Sequence, residues 1–244
     1  MKACLLIPIY NHKGEIGGVV EALEPAHLPC LIVDDGSNAA TRAVLEELAD
    51  RYPFVSVHRR SHNGGRGAAL KTGYRLAFEG GFSHALQNDT GDLPRFLAEM
   101  ERAPEALVLG APLFDETAPR SRLYGRQLSR AMVWLATLSF DVTDPLCGFR
   151  GIPLAATVAL LDSVATGDHM EFDPQLVIRL HWAGVRVRNI PTRVVYRSGG
   201  LSHFEPVRYN VRLSAVYAAS LAGALLRLPR RLTLGKSRTG EAVR

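Results

Sequence analysis

Ala3-Cys4-Leu5-Leu6-Ile7-Pro8-Ile9-Tyr10-Asn11 opens the chain, and Leu28-Pro29-Cys30-Leu31-Ile32-Val33-Asp34-Asp35-Gly36-Ser37 follows it. Each is a short apolar run that stops at polar, turn-forming residues, the pattern of a strand buried on both faces of a parallel sheet. Between them Ile16 to Leu23 has helical spacing. Beyond them Ala39 to Arg51 sets Ala43, Val44 and Leu48 opposite a polar face. The alternation continues with a strand at Phe54 to Val57 and a helix from Ala68 to about Phe78, after the Gly64-Gly65-Arg66-Gly67 break. A strand at Ala85 to Gln87, a helix at Leu93 to Arg102 and a strand at Ala106 to Leu109 complete it. Strands alternating with helices predict an α/β domain with a mainly parallel, Rossmann-like sheet flanked by helices. Short connections and right-handed crossovers then bring the strand C-termini to one edge.

After Gly110 the texture changes. Asp115 to Arg130 is polar and basic, and Ala131 to Phe140 is apolar with helical spacing. Pro145 to Pro153 reads as a turn, Thr157 to Val164 and Phe172 to Ala183 as helices, and Val185 to Ile190 and Arg193 to Tyr196 as two strands. A basic amphipathic segment runs from Val207 to Arg231. With no Gly/Ser/Pro linker and no repeat, the simplest partition is one domain over 1–206 with a C-terminal helix and basic tail over 207–244.

The 244 residues are 47% hydrophobic and 22% charged, which excludes disordered and collagen-like classes. A net charge of +5 suits nucleic acid, anionic lipid or a phosphorylated substrate. Cys4, Cys30 and Cys147 are far apart and form no C-x-x-C pair, so they read as buried thiols in a reducing compartment rather than zinc ligands. The first apolar run is interrupted by Pro8 and Asn11 and is too short for a secretory segment. The uncharged run Leu213 to Leu226 falls short of the ~20 residues of a spanning helix.

Ligands of open α/β sheets sit beyond the strand C-termini. Pro8 to Asn11, Asp34 to Ser37 and Gln87-Asn88-Asp89-Thr90-Gly91-Asp92 all fall there. Asp34 to Ser37 is either a turn with a helix cap or a carboxylate pair for a base edge or ribose hydroxyl. Asp89 and Asp92 are either loop residues or hard oxygen ligands for Mg²⁺ or Mn²⁺ on a diphosphate. Asn63 to Gly67 is a tight turn or a phosphate cradle, though it fits neither a Walker A loop nor G-x-G-x-x-G.

Ile7-Pro8-Ile9-Tyr10-Asn11, Val33-Asp34-Asp35-Gly36-Ser37, Asn63-x-Gly65-x-Gly67 and Cys147-Gly148-Phe149-Arg150 resemble the inverting family 2 glycosyltransferases of the GT-A fold, and most of all the dolichol-phosphate and polyprenyl-phosphate mannosyltransferases. The resemblance covers roughly residues 3 to 212. It implies that Pro8, Tyr10, Val33, Asp35, Gly65 and Thr90 bind a UDP- or GDP-sugar. It implies too that Asp89 holds a divalent metal, Mg²⁺ or Mn²⁺, as the first carboxylate of an Asp-x-Asp motif. Here Gly91 stands where the second Asp is expected, leaving Asp92 as substitute ligand or as the cap of the next helix. His12 stands where many members carry a nucleotide-contacting Glu.

Arg120, Arg122, Arg126 and Arg130 make either a solvated basic face or a receiver for an acceptor phosphate. Arg197 to His203 resembles the family's Gly-rich basic loop, with Arg197 and His203 near the diphosphate. Asp173, or Glu171, is either a helix-terminal carboxylate or the general base for a hydroxyl acceptor. The implied reaction is inverting sugar transfer to a lipid-linked acceptor such as a polyprenyl phosphate, in cell-envelope glycolipid synthesis. The implied place is the inner face of the cell membrane, reached from the cytoplasm through the Leu213–Leu226 segment. A catalytically decayed nucleotide-sugar-binding protein is the competing class. No nucleic-acid partner is expected, because aromatic residues are not interleaved with the basic ones.

Overall fold

The computed structural model describes residues 1–87, 91–114, 120–194 and 206–239. Strands β1 (Ala3–Ile9), β2 (Cys30–Asp34), β3 (Val55–Arg59), β4 (His84–Gln87), β5 (Leu107–Phe114), β6 (Arg150–Pro153) and β7 (Val187–Val194) form one sheet in the order β3-β2-β1-β4-β6-β5-β7. Strand β6 is antiparallel to both its neighbours, and every other pairing is parallel. The helices are α1 (Ile16–Leu23), α2 (Ala39–Arg51), α3 (Arg66–Glu79), α4 (Leu93–Arg102), α5 (Arg120–Thr137), α6 (Leu154–Ser163), α7 (Phe172–Trp182) and α8 (Pro206–Thr239).

The alternation of β1 explains the two-faced burial expected from its sequence. Cys4 and Leu6 join one apolar layer with Leu70 and Tyr74 of α3, Val133 of α5 and Leu176 of α7. Ala3, Leu5 and Ile9 join a second layer with Val20 of α1, Leu45 of α2 and Phe96 of α4. Each fully buried Leu, Ile or Phe contributes roughly 1.5–3 kcal/mol, and β2, β4 and β5 likewise send residues into both layers. The three cysteines are buried and unbridged, and burial pushes the Cys4 and Cys30 thiols up to about 12.

Three elements differ from the sequence-based expectation. The segment read as a turn ends in strand β6, inserted between β4 and β5. Residues read as two strands after Val185 form the single strand β7, which runs through Pro191. Proline lacks an amide donor and is tolerated there because β7 is the edge of the sheet and pairs only with β5. Helix α5 joins the basic segment and the apolar run into one helix from Arg120, and it ends at Thr137 rather than Phe140. The start of α8 packs back on the domain, where Leu213 and Tyr217 join the first apolar layer.

Candidate functional site

The ends of β1 and β2 are tied together by short polar side chains. Asn11 takes a left-handed conformation, φ 57°, that asparagine accepts more readily than most residues. Its amide donates to Ser37 Oγ at 3.0 Å and its Oδ1 accepts from the Asn38 amide at 2.8 Å. Asn38 in turn caps α2 by accepting from the Thr41 amide at 2.9 Å. Asp34, almost fully buried, accepts from the Ser37 amide at 2.9 Å and pairs with Arg59 Nη1 at 2.7 Å. The Asp-Asp-Gly-Ser turn therefore has a built structural job for its first carboxylate.

Asp35 holds the neighbouring loop. Its carboxylate accepts from the Gly64 amide at 3.1 Å and the Gly65 amide at 2.7 Å, and pairs with Arg60. The Gly65 amide also donates to Asn63 Oδ1 at 2.9 Å. The expected phosphate cradle is thus occupied by the protein's own carboxylate. Gly65 is required for two reasons: its φ is +97°, and a Cβ there would strike the His169 ring. A Cβ on Gly67 would lie 2.5 Å from the Phe172 Cβ. The glycines let α3 approach the segment before α7, where Lys71 pairs with Asp168 at 2.6 Å.

Pro8 and Tyr10, at the end of β1, are half-buried. Val33 is a correction. It sits in the apolar layer beneath α3 with no exposure, so its side chain shapes the core and does not face a ligand. His12 lies 3.6 Å from Glu15.

Where β4 ends, a buried polar chain crosses the sheet edge. Gln87 is paired in register with Arg150 of β6. Arg150 has no exposed surface and donates to the carbonyls of Pro145 and Cys147 at 2.9 and 2.7 Å. Its Nη1 lies 3.1 Å from Asp173 Oδ1, while Arg66 Nε lies 3.1 Å from Asp173 Oδ2. Arg66 also donates to Gln87 Oε1 at 3.1 Å, and Gln87 Nε2 donates to the Tyr74 hydroxyl at 2.6 Å. Burial alone would raise the Asp173 pKa, but Arg150 and Arg66 outweigh it and hold the carboxyl below its ordinary value. This corrects the general-base expectation. A carboxylate pinned between two guanidinium groups and made less basic by them is poorly suited to take a proton. Glu171 beside it is buried, with one oxygen accepting from the His169 amide at 3.3 Å and the other unpartnered among the described residues. The sequence assigned no individual role to Arg66, Gln87, Tyr74 or Arg150; Arg66, Gln87 and Arg150 stood only inside the glycine break, the Gln87–Asp92 segment and the Cys-Gly-Phe-Arg string, and Tyr74 in no motif.

Asp92 occupies the N-cap position of α4, with Pro94 in the first turn, as expected for the end of that helix, although its side chain makes no capping bond. Oδ1 pairs with Arg95 at 2.7 Å and Oδ2 accepts from Thr192 of β7 at 2.7 Å. One oxygen is committed within α4 and the other to the sheet edge, which corrects the alternative of Asp92 as a substitute metal ligand and leaves it the helix-end residue. Among the described residues no group of three His, Cys, Asp or Glu stands together as a metal set. Asp89, Thr90, Arg197 and His203 lie outside the described residues. Arg126 pairs with Asp144 at 2.6 Å and lies over the Phe114 ring, so its charge is already matched; Arg120 is exposed, and Arg122 stands in the first turn of α5.

Residues 4–82, which contain β1, β2 and the glycine loop, match the family described as Glycosyl transferase family 2. That segment is similar to family 2 glycosyltransferases. Over 117 residues it is 32% identical to the polyprenol monophosphomannose synthase of Mycolicibacterium smegmatis, covering 46% of this chain and 43% of that protein. The chain thus spans less than half the length of that named relative. An uncharacterized protein of Methanocaldococcus jannaschii is 23% identical over 215 residues, 81% of this chain and 90% of its own. Among solved structures, the glucosyl-3-phosphoglycerate synthase of Mycobacterium tuberculosis in complex with Mn²⁺ and UDP-glucose superposes with a TM-score of 0.63 at 15% identity, covering 91% of this chain and 78% of that one. The chain shares the GT-A fold of that structure.

Proposed function

We propose that this protein transfers a sugar from a UDP- or GDP-sugar to an acceptor, with inversion at the anomeric carbon. The observation that carries the reading is the family match over the strand ends where Tyr10, Asp35 and the Gly64-Gly65 loop meet at one sheet edge. Donor binding there falls to Pro8, Tyr10 and Asp35, with Arg60 and the two glycine amides released to phosphate as the donor arrives. A divalent metal, Mg²⁺ or Mn²⁺, is held in this reading by Asp89 and the donor's own oxygens, where it offsets charge on the diphosphate.

The acceptor in this reading is an anionic lipid phosphate of the polyprenyl type, and the sugar a hexose. The name of the mycobacterial relative supports it, and so does the pinned Asp173: an acceptor oxygen that is already anionic needs no strong base. Arg120, Arg122, Arg197 and His203 are the candidate acceptor and phosphate contacts. The working position is the cytoplasmic membrane face, with residues 207–244 as the attachment segment. A second reading, a donor-binding protein that has lost turnover, is favoured by one observation, the commitment of Asp92 to Arg95 and Thr192.

Thermal shift over UDP- and GDP-sugars with Mn²⁺, followed by nucleotide release in the presence of polyprenyl phosphate, tests both readings. Asp35→Ala should weaken donor binding by about 1–3 kcal/mol, the scale of hydrogen bonds to a charged group. Stabilisation without nucleotide release selects the second reading, and no stabilisation by any donor defeats both.

A further inference from the structure

Arg66 opens helix α3, where a cation is out of place. The amides of a helix's first turn carry partial positive charge, so carboxylates are favoured there and arginine is not. The first turn of α3 contains no Asp or Glu. Asp173 offsets the cost, with its Oδ2 3.1 Å from Arg66 Nε, but Asp173 already has a guanidinium partner. Arg150, wholly buried, lies 3.1 Å from the other carboxylate oxygen. One buried carboxylate thus serves two guanidinium groups, and one positive charge is in excess. Among the described residues no other carboxylate at this edge takes it up. Asp35 is paired with Arg60, Asp144 with Arg126 and Asp168 with Lys71. Glu171 accepts from the His169 amide through one oxygen, and its other oxygen is bonded to neither arginine.

Of the two guanidinium groups sharing Asp173, only that of Arg66 reaches the surface, with 29% of its side chain exposed. Its orientation is fixed in advance. Nε donates to Asp173 Oδ2, and Nη2 donates to Gln87 Oε1 at 3.1 Å. Gln87 is itself anchored on the Tyr74 hydroxyl. Nη1 has no hydrogen-bond partner among the described residues. Beside this guanidinium the protein leaves room. Gly148 is exposed, and a Cβ there would meet nothing within 4 Å beyond its chain neighbours except Arg66 Nη2, at 3.9 Å.

From this we infer that Arg66 is a phosphate-binding residue of the site, offering an already positioned guanidinium to the phosphate oxygens of a bound substrate. A guanidinium whose rotamers are fixed beforehand loses little entropy on binding, and its planar fork matches phosphate geometry. Two substrates carry phosphate, the nucleotide donor and the lipid acceptor; both belong to the reaction proposed above, on which this assignment rests. The neighbourhood favours the donor. Arg66 directly follows the Gly64-Gly65 loop, and its partner Gln87 ends β4, the strand paired with β1.

Arg66→Gln and Arg66→Lys test the assignment on the full chain. Asp173 keeps Arg150 in both, so both variants should fold, a control read by circular dichroism; should Arg66→Gln melt early, Arg66→Lys carries the comparison. Calorimetry with UDP and GDP against uridine and guanosine isolates the phosphates. Arg66→Gln should weaken the nucleotides at least ~10-fold, the scale of one charge-assisted hydrogen bond, and leave the nucleosides unchanged. Arg66→Lys keeps the charge and loses the fork, so it should fall between the parent and Arg66→Gln. A parallel arm compares polyprenyl phosphate with the matching polyprenol in detergent micelles. A loss confined to the lipid phosphate keeps the assignment and moves it to the acceptor. If the parent binds nucleotide or lipid phosphate and the variants bind both as tightly, the assignment is wrong and the transferase reading stands. An equal loss for nucleosides and nucleotides also overturns it, since Arg66 then only braces the fold. A parent that binds neither nucleotide nor lipid phosphate removes the transferase reading, and Arg66 with it.

Discussion

Asp173→Asn separates a structural carboxylate from a catalytic one. The substitution keeps the shape and removes the charge from between Arg150 and Arg66. The two guanidinium groups are placed differently: the Arg150 side chain has no exposed surface, whereas that of Arg66 is 29% exposed. Water can compensate Arg66, so nearly the whole cost falls on Arg150, which retains carbonyl partners but no counter-charge. Breaking a buried pair in this way costs about 3–5 kcal/mol. For a chain of this size that corresponds to a fall of roughly 6–20 °C in melting temperature. Urea unfolding should show a lower midpoint with an unchanged slope. The pH dependence has a definite sign. The folded carboxyl is held below its ordinary value of 3.8, so it takes up its proton later than the unfolded chain does as pH falls. The stabilisation is complete above that ordinary value and is lost as pH falls through the folded value. The gap between parent and variant should therefore be constant from neutral pH down to about 5 and close in stronger acid. Equal unfolding midpoints at neutral pH, together with abolished sugar transfer, would refute this reasoning and restore Asp173 as a base.

Gly65→Ala should destabilise by more than about 2 kcal/mol, because it combines an unfavourable positive φ with a collision against the His169 ring; chemical denaturation reads it, and a loss under ~1 kcal/mol would show that the loop yields. Asp92→Asn should leave the Mn²⁺ dependence of nucleotide binding unchanged, because its oxygens serve Arg95 and Thr192. Half of the Arg95 side chain is exposed, so the stability change should stay within about 1 kcal/mol. Mn²⁺ titrations with and without UDP or GDP check this, and metal binding abolished by the substitution would make Asp92 a ligand after all.

The N-terminal half was readable because its strands are buried on both faces and its turns are chemically marked. Ala3 to Ile9 has no polar interruption, and β1 sends alternate residues into the two apolar layers. Strand β6 was not readable: it spans only Arg150–Pro153, and its first side chain is a buried arginine, a residue that ordinarily signals surface. Its charge is acceptable only because Asp173, distant in sequence, arrives beside it, and local pattern carries no record of such a meeting. The same limit explains Asp35 and Asp92. Their positions at strand and helix ends were evident, but their partners Gly64, Gly65 and Thr192 come from separate segments. Asn11 and Ser37 appeared as motif letters, and only the tertiary fold makes them a clasp between two strands.

Strand order has a consequence for how the chain is made. In the sheet, β5 lies between β6 and β7, and both follow it in the sequence. Strands β1 to β4 can assemble as the chain emerges, each beside an earlier strand. Newly synthesised β5 has no such neighbour: its fully buried Leu107, Val108 and Leu109 wait for Arg150–Pro153, and its other edge waits until Val187–Val194 has left the ribosome. During that interval an unpaired apolar edge is open to wrong partners. A chain halted after α5 is thus the fragment most in need of chaperone cover.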